Sequence, residues 1–413
     1  MSAPLRLPAL TLTTRHSPVV YPWQVSATLP RAGVPIGVNQ LGGGTAFAYD
    51  PWECYAAGVV SSPNMVVLGQ LGTGKSALVK TYLRRQLACG RQAFVLDPKG
   101  EYAPLADAAG LVHVRLEPGG AHRVNPLDPP PGPVNRDAVT RARAGVVAAL
   151  AGGGLGRDLS AEERAGITAA VTDLAGEPVL GDVADKLLAP SAAMAAQLAT
   201  TTDRLAAAVR PAALELRRLL DGDLAGMVDA RSTVRLDPDG LGVVVDLSAV
   251  HGGDGLIPVM VCAGQWLSAV LAAGSSRRRL LLVDEAWALL HSAATTGWLQ
   301  AVSKLARRHG IALITVVHRL SDLSGQADAG TATAARARGL LADAETKVVY
   351  RQAPGERAAA ADLLGLTGVE ADWVCRLPRH RALWLVGAHG AVVDHLLAPD
   401  EVDLVDTDAA MRS

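Results

Sequence analysis

Residues Gly69, Gln70, Leu71, Gly72, Thr73, Gly74, Lys75 and Ser76 follow the spacing G-x-x-x-x-G-K-[ST]. That spacing suits a loop wrapped around a phosphate chain. Glycine lets consecutive backbone N–H groups turn toward phosphate oxygens, and a helix starting at the lysine adds the partial positive charge of its N-terminus. In such a loop Lys75 reaches the β- and γ-phosphates and the Ser76 hydroxyl ligates Mg2+. The string alone also occurs as a plain glycine turn, so its context matters. Here it directly follows the apolar run Met65–Leu68 and precedes a helical stretch over Ala77–Ala88.

A second motif carries the complementary chemistry. The apolar run Leu280–Val283 ends in Asp284-Glu285. Two acids at a strand end place Asp284 to hold the magnesium shell and Glu285 to orient and deprotonate an attacking water. An Asp-Glu pair after a buried strand is common in isolation. With the phosphate loop earlier in the same chain, it points to ATP and Mg2+ as the ligands.

Two further strand ends matter, because ligands of open α/β sheets sit at the carboxyl ends of strands. The run Ala93–Leu96 ends in Asp97-Pro98-Lys99-Gly100-Glu101-Tyr102. Asp97, Lys99 and Glu101 either face a nucleotide or a neighbouring subunit, or simply build a tight turn. Ile311–Val317 ends in His318, placed for a polar γ-phosphate sensor or for an ordinary strand cap. The helix before that strand carries Lys304, Arg307 and Arg308. An arginine there could stabilise leaving-phosphate charge on an adjacent subunit or belong to a solvated basic face.

The chain uses six lysines (Lys75, Lys80, Lys99, Lys186, Lys304 and Lys347) against 33 arginines. A sequence so biased keeps lysine where the side chain's reach and geometry are needed. Other chemistries find no pattern: the ten histidines show no H-x-x-x-H spacing, and no G-x-S-x-G elbow occurs. Cys54, Cys89, Cys262 and Cys375 lie far apart, which fits a reducing compartment better than a disulfide framework.

The elements that must position these residues are short apolar runs alternating with helical stretches. The runs are Met65–Leu68, Ala93–Leu96, Leu111–Leu116, Val243–Leu247, Leu280–Val283, Ile311–Val317 and Lys347–Tyr350. They predict an α/β fold, a mostly parallel sheet with helices on both faces. Residues 1–63, rich in Pro and Gly, read as an irregular leading segment with a small β element near Gly44–Tyr49. Residues 64–132 are the first part of the ATPase domain, 133–235 an all-helical insertion, and 236–413 the second part with a C-terminal β element. Within the insertion Ser160 and Glu163 form a capping box, and helices are expected over Ala192–Val209 and Ala212–Leu220.

The 413 residues have a formal charge of −1, with 49% apolar and 19% charged residues. A sizeable core follows, and no global pull toward nucleic acid or an anionic membrane. The N-terminus lacks the pattern of a secretory signal. Gly255–Ser276 is uncharged and long enough to span a bilayer, but Gln265 and its flanking strand-like runs favour a buried helix. No integral membrane segment is expected.

Taken together, the motif around Gly69–Ser76, F-V-L-D-P-K-G-E-Y, V-N-P-L-D at 124–128, L-L-L-V-D-E-A-W and A-R-R-H-G-I-A-L-I-T-V-V-H resemble the TraC-like, VirB-class ATPases. These energise conjugation and type IV secretion within the HerA–FtsK superfamily of ring motors. The resemblance runs from about Gly33 to the C-terminus and implies a RecA/HerA-like P-loop fold. It implies Lys75 and Ser76 for nucleotide and Mg2+, Asp284 and Glu285 for hydrolysis, and Arg307 as an inter-subunit arginine finger, with Arg308 as fallback. His318 stands where the family usually has glutamine. The family usually carries a substantial domain before the ATPase, so the chain reads as the motor half alone. A cytoplasmic homo-oligomer is implied, a hexameric ring docked at the inner face of the membrane on secretion or conjugation channel proteins. DNA is the partner under the rival reading, a translocase or helicase-like pump, for which Arg376, Arg379 and Arg381 near Trp373 and Trp384 are the pore candidates. A third reading is a nucleotide-gated scaffold, which would have no need of Glu285.

Overall fold

The computed structural model describes residues 32–41, 44–273, 275–290, 310–317 and 341–405, together with Leu29, Leu299, Ser303 and Gly339. Seven strands run parallel: β3 (Met65–Leu68), β4 (Gln92–Asp97), β5 (Val112–Arg115), β6 (Gly242–Asp246), β7 (Arg279–Val283), β8 (Ile311–Val317) and β9 (Thr346–Val349). Antiparallel pairing then extends the sheet beyond β9 through β10 (Arg381–Val386), β11 (His389–His395), β1 (Val34–Asn39) and β2 (Thr45–Tyr49). The order across the sheet is β2-β1-β11-β10-β9-β3-β8-β7-β4-β6-β5. The apolar runs read from sequence are thus the strands, and the mostly parallel α/β sheet is present.

Strand side chains alternate between faces, and the core divides accordingly. Val66, Leu68, Phe94, Leu96, Val243, Val245, Leu281 and Val283 belong to one cluster with the helical segment and α9 (Leu256–Ala272). Met65, Val67, Ala93, Val95, Val244, Leu280 and Leu282 belong to the other, with α2 (Lys75–Ala88) and α3 (Ala103–Ala109). Strands covered on both faces must be apolar at every position, which is why they read as continuous rather than alternating runs.

Helix α9 is the Gly255–Ser276 candidate. Its 17 residues pack between β6 and β7 in the chain and are buried almost throughout. Among the described residues no helix is long and apolar enough to cross a membrane.

Residues 136–221 contain only helices: α4 (Arg136–Leu155), α5 (Ala161–Asp173), α6 (Leu180–Leu188), α7 (Ala192–Gln197) and α8 (Thr202–Asp221). The Ser160–Glu163 capping box forms at α5. The expected boundary between the last two helices moves. The chain breaks after Gln197, where Ala199 takes φ 50°, and Thr201 caps α8 by accepting the Arg204 N–H. Pro211, in the gap between the two expected helices, lies inside α8. Burial of Leu205, Val209, Ala212, Ala213, Leu216 and Leu219 holds that helix together across the missing donor.

Candidate nucleotide site

At the end of β3 the chain turns sharply. Gly69, Gly72 and Gly74 have φ of 155°, 71° and 110°. A Cβ on Gly69 would lie 2.4 Å from the Tyr350 Cβ, and one on Gly74 would lie 2.8 Å from the His380 Nδ1. Both glycines are therefore required by close approach as well as by dihedral. Thr73 Oγ1 donates to the Gln70 carbonyl at 2.7 Å, the Gln70 N–H to the Arg351 carbonyl at 3.0 Å, and the His380 N–H to the Thr73 carbonyl at 2.8 Å. The loop is thus braced by the chain after β9 and the turn before β10.

Helix α2 begins at Lys75 with Gly74 as its cap and no capping side chain. Its first-turn N–H groups lack intrahelical acceptors, and their partial positive charge suits phosphate oxygens. The Lys75 ammonium donates to the Gly69 and Gln70 carbonyls at 2.5 and 2.9 Å. Burial pulls its pKa down to about 8, partly offset by Asp284. Ser76 is half-buried at the same end of the helix. A cradle of this shape, with a lysine and a hydroxyl at its rim, fits a nucleotide phosphate chain and Mg2+.

Asp284 and Glu285 follow β7, two strands from β3, with β8 between them. Both are buried, at 3% and 2% exposure. The Asp284 carboxylate accepts the Glu285 N–H at 2.8 Å and the Tyr102 hydroxyl at 3.2 Å. Burial, reinforced by Glu285, pushes the Asp284 carboxyl up to about 6. Such a carboxylate gains most from a divalent cation, the donor chemistry Mg2+ prefers. Glu285 sits at φ 51°, a left-handed conformation that costs a side-chain-bearing residue roughly 1–2 kcal/mol. The Lys99 ammonium forms an ion pair with its Oε1.

At the third strand end, Asp97–Tyr102 forms the tight turn. Asp97 is fully buried and accepts the Lys99 and Tyr102 N–H groups at 3.2 and 2.8 Å, building a turn completed by Gly100 at φ 72°. Burial raises its pKa to about 6 against those hydrogen bonds. The turn sends Lys99 to Glu285 and Glu101 to Lys80, whose Nζ lies 3.8 Å from the Glu101 carboxylate and 5.5 Å from the Tyr102 ring centroid.

Arg307, Arg308 and His318 lie outside the described residues. Two of the groups named for a pore loop, Trp384 and Arg381, are engaged within the fold. Trp384 is 1% exposed and packs on Phe47 and Tyr49, because its position on β10 points into the second core. Arg381 is engaged across the β10–β11 ladder with Asp394, one of its contacts being 2.7 Å. Sequence reading also missed His380, Tyr102 and Lys80 at the site. His380 bonds to a loop some 300 positions earlier, a contact no local pattern announces.

No family model matches the chain, and no curated protein matches it. Among solved structures it is similar to VirB4 of Thermoanaerobacter pseudethanolicus, with TM-score 0.72 and 20% identity over 90% of this chain and 98% of that one. It is also similar to the plasmid coupling protein TrwB. The TrwB structure with the ATP analogue ADPNP gives TM-score 0.59 and 16% identity, over 81% of this chain and 85% of that one. The TrwB structure with ADP and Mg2+ gives 0.60 and 17%, with the same coverage. At these identities the likeness is one of fold. The chain has the α/β P-loop fold of VirB4 and TrwB, the fold expected from its sequence.

Proposed function

We propose that this chain is a Mg2+-dependent ATPase motor that energises a conjugation or type IV secretion-like apparatus. The observation that carries the reading is the convergence, at the carboxyl edge of one parallel sheet, of the Lys75 loop after β3 and the Asp284-Glu285 pair after β7. Gly69–Ser76 hold the phosphates through backbone N–H groups, and Lys75 turns its ammonium from its own loop's carbonyls to the β- and γ-phosphates. Ser76 and Asp284 hold Mg2+, which when bound offsets phosphate charge and polarises the terminal phosphate. Glu285 orients a water and accepts its proton.

The assembly in this reading is a homo-oligomeric ring, a hexamer by resemblance, in which Arg307 of one subunit serves the neighbour's ATP. His318 would report the γ-phosphate, since it follows Val317, which pairs with Leu68 at the mouth of the loop. The likeness to TrwB, a plasmid coupling protein, supports conjugation as the setting, and a location at the inner face of the membrane with channel proteins as partners belongs to the same reading. A DNA-pumping motor of the same superfamily is the rival.

Steady-state ATP hydrolysis, alone and with single- or double-stranded DNA, tests the proposal. Glu285→Gln should lower turnover by about 10²–10⁴-fold without loss of ATP binding. Turnover that survives this substitution removes Glu285 from the mechanism. Strong stimulation by DNA would favour the pump, and indifference to DNA the secretion motor.

A further inference from the structure

Three of the six lysines, Lys75, Lys80 and Lys99, gather with the four carboxylates Asp97, Glu101, Asp284 and Glu285. In a chain that otherwise favours arginine, that concentration asks what each ammonium does. Lys75 belongs to the phosphate loop. Lys80 is 1% exposed and serves Glu101 beneath the turn. Lys99 is different. Its side chain is 26% exposed and reaches in from the rim of the site to a carboxylate that is 3% exposed.

That carboxylate is Glu285. An oxygen engaged by an ammonium is a poor acceptor for a proton from water, so hydrolysis requires the pair to part. The terminal phosphate of ATP carries more negative charge than one carboxylate and offers three strong acceptor oxygens. An ammonium on a four-carbon stem can change partners by rotating a few bonds. Lys99 is also close enough to Lys75 to act on its charge, so both cations face the same region.

We propose that Lys99 is a switch that distinguishes ATP from ADP: it holds the Glu285 carboxylate until a γ-phosphate draws the ammonium away and frees the base. This rests on the reading of Glu285 as the base and of Gly69–Ser76 as the phosphate loop. Lys99 contacts the γ-phosphate and only that phosphate, so its effect falls on triphosphate binding alone.

The test is a double-mutant cycle of binding, read by calorimetric titration with Mg2+ and either ADP or the non-hydrolysable analogue ADPNP. Lys99→Met should weaken ADPNP binding by about 10–100-fold, the worth of one charge-assisted contact, and leave ADP binding within about twofold. Lys99→Arg should restore most of the ADPNP affinity. Glu285→Gln, which releases the ammonium, should tighten ADPNP binding several-fold, and the gain should vanish in the Lys99→Met, Glu285→Gln double variant. Equal losses for ADP and ADPNP, or no loss for either, overturn the switch. The site reading fails separately if wild-type protein binds neither nucleotide or if Glu285→Gln hydrolyses ATP at the wild-type rate. Retained ADP affinity certifies that each variant is folded.

Discussion

Asp284 holds its place at a thermodynamic cost. A carboxyl pushed up to about 6 by burial, against 3.8 in its ordinary setting, binds its proton more tightly folded than unfolded. Its contribution is therefore most favourable below the unfolded pKa and is lost as pH rises through about 6. Asp284→Asn should stabilise the protein by about 1–2 kcal/mol at pH 7.5 without Mg2+, and the gain should shrink toward pH 4. Urea unfolding of both proteins at the two pH values measures this, while the variant should lose Mg2+-dependent hydrolysis. The comparison has to be between variant and wild type, because His395 works in the opposite direction. Burial holds that imidazole down to about 4, so it favours the fold above its ordinary value and penalises it as pH falls. The acids and the loop lysine were legible in the sequence because each sits in a contiguous string. The Tyr102 hydroxyl on Asp284 and the His380 backbone on Thr73 were not, because each joins strand ends that only the sheet order brings together.

At the scale of elements, the apolar runs gave the strands closely because burial on both faces leaves no polar position to blur them. Met65–Leu68 and Ile311–Val317 coincide with β3 and β8, and the other runs shift by a residue or so. The helical segment was harder. Its Ala- and Leu-rich composition favours helix nearly everywhere, so boundaries depend on caps rather than propensity. Thr201 supplied a cap where continuity was expected, and α8 runs unbroken through the gap expected at 210–211. Pro211 is exposed on α8 and removes one backbone donor. Pro211→Ala should therefore raise the urea midpoint, by about 1–2 kcal/mol in stability, with an unchanged slope and unchanged ATPase activity. A lower midpoint would mean that α8 packs on α4–α6 better with proline than with alanine at this position.

At the scale of the whole molecule, the described sheet gathers the phosphate loop, the acids and the Asp97 turn within one chain, whereas the arginine finger proposed at Arg307 would act between chains. A head-to-tail interface that closes into a ring brings one subunit's arginine to the next subunit's nucleotide. Complementation in trans follows from that geometry. Lys75→Ala should be inactive because its own phosphate loop fails, and Arg307→Ala because it cannot complete its neighbour's site. In a mixture, an Arg307→Ala subunit contributes an intact loop and an adjoining Lys75→Ala subunit contributes the arginine. With random assembly from equal amounts, about one interface in four is competent, so independent sites should recover roughly a quarter of wild-type turnover. Mixing after assembly should recover less until subunits exchange, which separates ring formation from simple contamination. If Arg307→Ala alone keeps full activity while Arg308→Ala does not, the finger is the neighbouring arginine, and the same mixing experiment with Arg308→Ala should then recover activity. If no mixture recovers activity although each variant still binds the other in sizing chromatography, hydrolysis is completed within a single chain and the ring serves transport alone.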